Sequence, residues 1–146
     1  MAQERKNTLC KEERLHGRNA VENLFKKAGS RSMVSFPLRV VYAIGETEED
    51  RDIRVRMLVS VPKKHFKRAV KRNCVKRQVR EAYRKNKHSL CNSIAAMPFA
   101  CLDMAFVWLD DELHSSAEVE KRVVKLLQRI EERINRGGDA TAAERQ

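Results

Sequence analysis

A set of cations between residues 68 and 84, together with Asn73, has the residue types and spacing best suited to chemistry, here the binding of phosphate. Its members are Arg68, Arg72, Asn73, Lys76, Arg77, Arg80 and Arg84. The planar guanidinium group can donate two parallel hydrogen bonds to a phosphate, so arginine suits this task. Like charges four residues apart on a helix repel by a few tenths of a kcal/mol per pair in water. The set therefore predicts a helix that binds a polyanion.

A helix over residues 69–85 separates the polar side chains of this set from an apolar stripe. At about 100° per residue, one side collects four residues within about 60° of Asn73: Lys76, Arg77, Arg80 and Arg84. The opposite side collects the residues that would anchor the helix to a sheet: Val75, Val79, Ala82 and Tyr83. Arg72 lies near the edge of the apolar stripe, from which its long side chain is expected to reach outward. Asn73 has two interpretations, a cap of the helix N-terminus or a group that reads a base or a ribose hydroxyl.

The location of the net charge supports a nucleic-acid partner. Residues 63–87 hold twelve Lys or Arg and one acid, so they carry the whole formal net charge of +11. The rest of the chain balances at nineteen charges of each sign. An excess concentrated in this way makes a field directed at a polyanion. An anionic membrane surface is the weaker alternative, because the apolar stripe of the helix is needed to pack the sheet.

Two further helices and three strands follow from hydrophobic periodicity. Residues 19–28 predict a short first helix, and residues 116–135 predict a long last helix whose Ser115 and Glu118 have capping-box spacing. Residues 37–44, 53–61 and 101–109 predict strands, the last one apolar enough to be covered on both faces. The loop length between the first two strands favours an antiparallel hairpin. The sequence therefore predicts a small α+β domain in the order α-β-β-α-β-α, with one sheet of three or four strands.

Other kinds of site have little support in the sequence. Cys10, Cys74, Cys91 and Cys101 are scattered, which predicts reduced thiols rather than a metal site or a disulfide framework. The four histidines are dispersed, with no nucleophile or acid at supporting spacing, so we expect neither a catalytic site nor a metal site. His65, beside two lysines, is a candidate RNA contact. No apolar run approaches the roughly 18 residues of a membrane helix, and we expect no secretory signal, because no apolar segment follows the positive charges of the first residues. We expect a cytoplasmic protein with one domain over residues 13–136 and disordered segments at 1–12 and 137–146.

The motif within the basic helix resembles a known family. The pattern RN-x-x-KR-x-x-RE, made here by Arg72, Asn73, Lys76, Arg77, Arg80 and Glu81, is similar to the signature of the protein subunit of bacterial ribonuclease P. The flanking stretches "SVPKK" and "AV" resemble those of the family, as does "NLFKKAGS" in the first helix. The order of elements matches as well, so the resemblance covers roughly residues 13–134.

This resemblance implies a fold, a partner and a reaction. The fold would be a two-layer α/β sandwich in which a left-handed crossover carries the basic helix between two strands. The chain would be one protein subunit per catalytic RNA in a ribonucleoprotein endoribonuclease that removes the 5′ leader of precursor tRNA. The RNA, with Mg²⁺ that it requires, would perform the hydrolysis, and the chain alone would bind no cofactor. The basic helix would dock on that RNA and tighten substrate binding.

The resemblance also implies a cleft for the single-stranded leader. Phe25 and Tyr42 match aromatic positions of the family, and Lys63 and Lys64 match its basic pair. Bases stack on aromatic rings while lysines neutralise phosphates. Each aromatic has core packing as its alternative interpretation. The chain departs from the family at Val21, where an aromatic is usual, and in "KKHFKRAV", which is one residue longer; Phe66 is a candidate replacement contact.

A generic RNA- or DNA-binding protein, ribosomal or regulatory and without a processing role, is the alternative function. Composition alone does not separate the two, because both need the same cationic surface. The motif and its flanks favour the ribonuclease P interpretation.

Overall fold

The computed structural model describes residues 30–46, 54–97 and 100–136, together with Glu22, Leu24 and Lys26. Its strands are β1 (Arg31–Ser35), β2 (Leu38–Glu46), β3 (Val55–Ser60) and β4 (Ala100–Trp108). Its helices are α1 (Ala69–Asn86), α2 (His88–Ala95) and α3 (Ser116–Asn135). The α+β class is confirmed, with β1 and α2 in addition to the elements that the sequence predicts.

The four strands form one mixed sheet in the order β1-β2-β4-β3. β4 pairs antiparallel with β2 and parallel with β3. The predicted hairpin between residues 37–44 and 53–61 is therefore wrong, because β4 lies between those two strands. A parallel pair needs a long crossover rather than a tight turn, and α1 with α2 supplies it. The left hand of this crossover stays a prediction.

The main core lies between one face of the sheet and the three helices. The sheet contributes large side chains that are almost fully buried: Leu38, Val40, Tyr42, Met57, Leu102, Met104, Phe106 and Trp108. α1 contributes the predicted stripe of Val75, Val79, Ala82 and Tyr83, which is confirmed. Burying an apolar side chain of this size stabilises the fold by about 1.5–3 kcal/mol. This core fixes the roll of α1, and so the direction in which its cations point.

The other face of the sheet carries a smaller apolar cluster. Leu24, which lies in helical conformation, packs there with Val41, Ala43, Ala105 and the partly buried Leu58. β4 is thus covered on both faces, as its sequence predicts, and only Val107 is partly exposed. A segment covered in this way belongs in the middle of a sheet, which is where β4 lies.

The last helix follows its sequence closely. The Ser115 hydroxyl accepts a hydrogen bond of 3.1 Å from the backbone N–H of Glu118, which confirms the predicted cap. The apolar stripe is buried as predicted: Val119, Val123, Leu126, Leu127, Ile130 and Ile134. Several predictions lie outside the described residues: the segments 1–12 and 137–146, most of the helix 19–28, and Ile53 at the start of the second predicted strand.

Candidate nucleic-acid interface

The predicted phosphate-binding face of α1 points away from the main core. Arg68, Asn73 and Arg77 are exposed, whereas Lys76, Arg80 and Arg84 are partly exposed. They share one side of the helix because residues at steps of three, four and seven recur on one face. The prediction that these side chains share one side of the helix, opposite its apolar stripe, is therefore confirmed.

The start of α1 excludes one of the two interpretations of Asn73. The helix begins at Ala69, its capping position is Arg68, and no side chain caps it. Asn73 lies one turn further in, so it is not the helix cap. Its exposed amide stays on the cationic face, available to donate and accept hydrogen bonds there.

Arg72 has a different position from the one expected. Its Nη1 atom donates to the carbonyl oxygens of Phe66 and Lys67, both at 2.8 Å. Hydrogen bonds from a charged donor are worth about 1.5–3 kcal/mol, more than those between neutral groups. The expectation that Arg72 reaches outward is therefore wrong for the Nη1 group. This group instead ties the preceding loop to α1.

Arg84 is paired within the helix. Its Nε donates to Glu81 Oε1 at 3.1 Å, and its Nη2 donates to Oε2. These hydrogen bonds, with a smaller Coulombic contribution from Lys85, lower the pKa of Glu81 below its ordinary value. Glu81 therefore carries its negative charge at neutral pH, and it reduces the charge that Arg84 presents.

The side of α1 next to α3 is polar and makes hydrogen bonds to α3 and to the residues just before it. Gln78 donates to the carbonyl of His114 at 2.9 Å, and Asn86 donates to Glu120 at 3.0 Å. Lys85 lies 3.6 Å from the same carboxylate. The hydrogen bond from Asn86 and the charge of Lys85 lower the pKa of Glu120. These contacts join the two helices and leave the opposite side of α1 for an external partner.

The loop between β3 and α1 presents Lys63 and Lys64, which are both exposed. Two neighbours fix this loop in place. His65 Nδ1 lies 2.6 Å from Asp111 Oδ1, and the Phe66 side chain is 5% exposed within the main core. Phe66 is thus an apolar anchor rather than a stacking platform, and His65 contacts the β4–α3 loop.

Tyr42 does not lie on the sheet face that Leu24 covers. It is 1% exposed and belongs to the main core, with β2 neighbours Leu38 and Val40. The core-packing interpretation of Tyr42 is therefore the one that the structure supports, and its ring is closed to a nucleic-acid strand. Phe25 and Val21 lie outside the described residues.

A charged pair on the Leu24 side of the sheet was missed from the sequence. Arg56 donates from Nε and Nη2 to the two carboxylate oxygens of Asp103, at 3.0 and 3.1 Å. The parallel register places Arg56 directly opposite Asp103. A lone acid within the apolar strand "CLDMAFVWL" was the available signal, since a buried carboxylate needs a partner.

Other kinds of site find no support among the described residues. They contain no group of three or more His, Cys, Asp or Glu side chains placed to hold a metal ion. Cys74, Cys91 and Cys101 are free thiols, and Cys101 is buried as expected. None of the helices in this part of the chain is both long and apolar enough to cross a membrane.

Comparison with known proteins gives concordant results. The family model described as Ribonuclease P matches residues 9–131. A ribonuclease P protein component of Porphyromonas gingivalis is 46% identical over 122 residues, which are 84% of this chain and 85% of that protein. Another, of Chlorobaculum tepidum, is 39% identical over 65% of this chain and 61% of its own length. The solved RNase P protein of Thermotoga maritima has the same fold, with a TM-score of 0.58 at 24% identity, covering 80% of this chain and 96% of that one.

Proposed function

The chain belongs to the ribonuclease P protein family, and from that premise we propose that it assists the removal of the 5′ leader from precursor tRNA. It would do so as the protein subunit of a ribonucleoprotein, bound to a catalytic RNA with one protein per RNA. The protein would contribute by binding the catalytic RNA and the substrate. Binding raises the affinity for substrate and neutralises RNA phosphates that lie close to one another.

The cationic face of α1 is the surface that docks on the catalytic RNA. Exposed Arg68, Asn73 and Arg77, with the partly exposed Lys76, Arg80 and Arg84 beside them, support this assignment. No acid lies in the first turn of the helix, so phosphate meets no repulsion there. Arg72 supports this face from behind by holding the loop that precedes it.

The leader strand binds on the sheet face that Leu24 partly covers. Exposed Lys63 and Lys64 lie directly after β3, an edge strand of that sheet. Arg56 and Arg39 project from the same face. In the strand register Arg56 lies opposite Asp103 and Arg39 lies opposite Val107, and both of these β4 residues are on that face. Phe25 remains a proposed stacking residue of this cleft, by the family resemblance alone. Tyr42 is no longer among the proposed leader-binding residues, and Arg56 and Arg39 are added to them.

The hydrolysis belongs to the RNA and to the Mg²⁺ that the RNA requires. The side chains of the described residues fit this division, since their ion pairs join acids to neighbouring cations or histidines within the fold. Glu81, Asp103 and Glu120 are each engaged in this way. The protein would then bind no cofactor of its own.

The observation that carries the proposal is the family signature on α1, with Asn73, Lys76, Arg77 and Arg80 on the solvent side of the helix. Reconstitution tests it: this protein, the catalytic RNA of the same organism and a 5′-extended precursor tRNA, assayed at low and high Mg²⁺. We expect leader removal that needs the protein at low Mg²⁺ and persists with RNA alone at high Mg²⁺. Tight, salt-sensitive RNA binding without any stimulation of cleavage would instead support a generic RNA-binding protein.

A further inference from the structure

A second line of cations runs along the exposed side of α3. Lys121, Lys125, Arg129 and Arg133 follow one another at intervals of four residues, and all four are exposed. Steps of four residues advance about 6 Å along a helix, so the line is about 18 Å long. We call these four residues the α3 cation stripe.

Three of the four acids of α3 are turned away from the stripe or engaged within the helix, and the fourth, Glu132, is exposed beside it. Glu120 binds Asn86 and Lys85 of α1, and Glu131 accepts hydrogen bonds from Ser89 and Ser93 of α2. Glu118 pairs with Arg122 one turn along, at 2.7 Å. At about 100° per residue, Glu120 and Glu131 fall on the α1 and α2 side of the helix, away from the stripe. The net charge of α3 does not show that its cations and most of its acids lie on different sides of the helix.

The stripe is not neutralised within the described part of the chain. Lys121, Lys125 and Arg133 have no ion pair with any described acid, and Arg129 donates to the carbonyl of Val34 at 3.3 Å. Three successive i,i+4 like-charge pairs cost the free protein a few tenths of a kcal/mol each. A bound polyanion would offset that repulsion, whereas a face that meets only solvent would keep it without any compensating contact.

The chemistry of the surrounding surface favours RNA over a lipid membrane as that polyanion. Membrane-surface helices insert large apolar side chains next to their cations. Six apolar side chains of α3 are buried in the core, at 5% exposure or less, whereas Val124 is partly buried and Ala117 is exposed. The exposed large apolar side chains of the described residues lie elsewhere: Val34, Phe36, Val70 and Leu113.

We propose that the α3 cation stripe is a second phosphate-binding surface, which contacts the sugar–phosphate backbone of the catalytic RNA beyond the part docked on α1. This inference rests on the proposed function for the identity of the RNA. α1 and α3 are joined by the contacts of Gln78 and Asn86, so both cationic surfaces belong to one helical layer. Backbone phosphates on either side of that layer would be held together by the protein.

The salt dependence of RNA affinity tests the stripe. The variant Lys121→Gln/Lys125→Gln/Arg133→Gln removes three charges with an unbranched polar side chain of similar helix propensity, and it spares Arg129 with its bond to Val34. Binding of the full protein to its cognate catalytic RNA is measured at several KCl concentrations. Each lost phosphate contact lowers the log–log salt slope by about 0.7–0.9, so the slope should fall by about two to three and low-salt affinity by about tenfold or more.

Two matched variants separate contact from other causes. Lys121→Arg/Lys125→Arg/Arg133→Lys keeps every charge and should keep the slope. Glu132→Gln removes an exposed acid beside the stripe and should raise the affinity for RNA. The triple glutamine variant should also unfold at no lower temperature than the parent, because the like-charge repulsion is gone.

The outcomes distinguish this inference from the proposed function. A parent protein without salt-dependent affinity for the catalytic RNA would overturn both. A parent that binds and supports leader removal, with an unchanged slope in the triple glutamine variant, would overturn the stripe alone. If the triple glutamine variant lost binding to phosphatidylserine vesicles but kept the RNA affinity of the parent, the RNA-binding role of the stripe would be overturned in favour of a lipid surface.

Discussion

The Nη1 atom of Arg72 lies 2.8 Å from the carbonyl oxygen of Phe66, so a cation of the family signature is used inside the protein. Phe66 is buried in the core, and Arg72 is one turn inside α1. The pair fixes the angle at which the loop carrying Lys63 and Lys64 meets the basic helix. Arg72 therefore links the two surfaces proposed to bind RNA.

Replacing Arg72 should lower stability more than replacing a cation that points to solvent. Arg72→Gln leaves two carbonyl oxygens without their charged donor, which predicts a loss of about 1–3 kcal/mol in the free energy of unfolding. Arg77→Gln is the matched control, and as an exposed change it should stay within about 0.5 kcal/mol. Urea unfolding measures both. Equal midpoints for the two variants would contradict the anchoring role of Arg72.

Arg77 should contribute to RNA affinity through phosphate contact. Arg77→Gln is expected to lower the log–log salt slope of binding to the catalytic RNA by about one, since one phosphate contact is lost. Arg77→Lys keeps the charge and should keep the slope. A parallel shift of the binding curves, with the slope unchanged in Arg77→Gln, would mean that this side chain does not meet a phosphate.

Glu81 should titrate at a lower pH than an ordinary glutamate. Its pKa is lowered chiefly by hydrogen bonds from Arg84, so the pair stabilises the fold above the unfolded-state pKa. That contribution is lost as the pH falls through the folded-state pKa. Carboxyl carbon NMR of Glu81 follows the titration, and Arg84→Gln should move its midpoint upward. An identical midpoint in that variant would show that Arg84 does not hold the carboxylate in solution.

Tyr42 should behave as a core residue. Tyr42→Ala removes a ring that is 1% exposed, for which we expect a loss of about 3–5 kcal/mol in the free energy of unfolding. The milder Tyr42→Leu, measured where it remains folded, should leave unchanged the ratio of affinities of the holoenzyme for leader-bearing and leaderless tRNA. A selective fall in affinity for the leader-bearing form would instead return Tyr42 to the cleft.

Ser115 should account for part of the stability of α3. Ser115→Ala removes the acceptor of the Glu118 N–H bond and should cost about 1 kcal/mol. Ser115→Asp supplies another acceptor and favours the helix dipole, so it should restore the parent stability. Thermal unfolding of the three proteins decides, and a destabilised aspartate variant would count against this capping role.

The sequence by itself determined the features that repeat along the chain. The buried side of α1, with Val75 and Val79, follows from a period of 3.6 residues, and so does the cationic side with Asn73 and Arg77. The Ser115 cap is likewise local, because its acceptor and donor are three residues apart. Such features need only the geometry of one element, which the order of residue types already encodes.

Tertiary structure decided what depends on residues far apart in the sequence. β4 lies between β2 and β3 because it is apolar on both faces, and this long-range packing outweighs the hairpin that a short loop favours. That placement sets Arg56 beside Asp103, 47 residues away. The helices cover the sheet face that carries Tyr42, so its ring lies in the main core. The partner of a side chain is fixed by which strands meet and which layer covers them, so a local pattern predicts that Arg56 points outward but not what it binds.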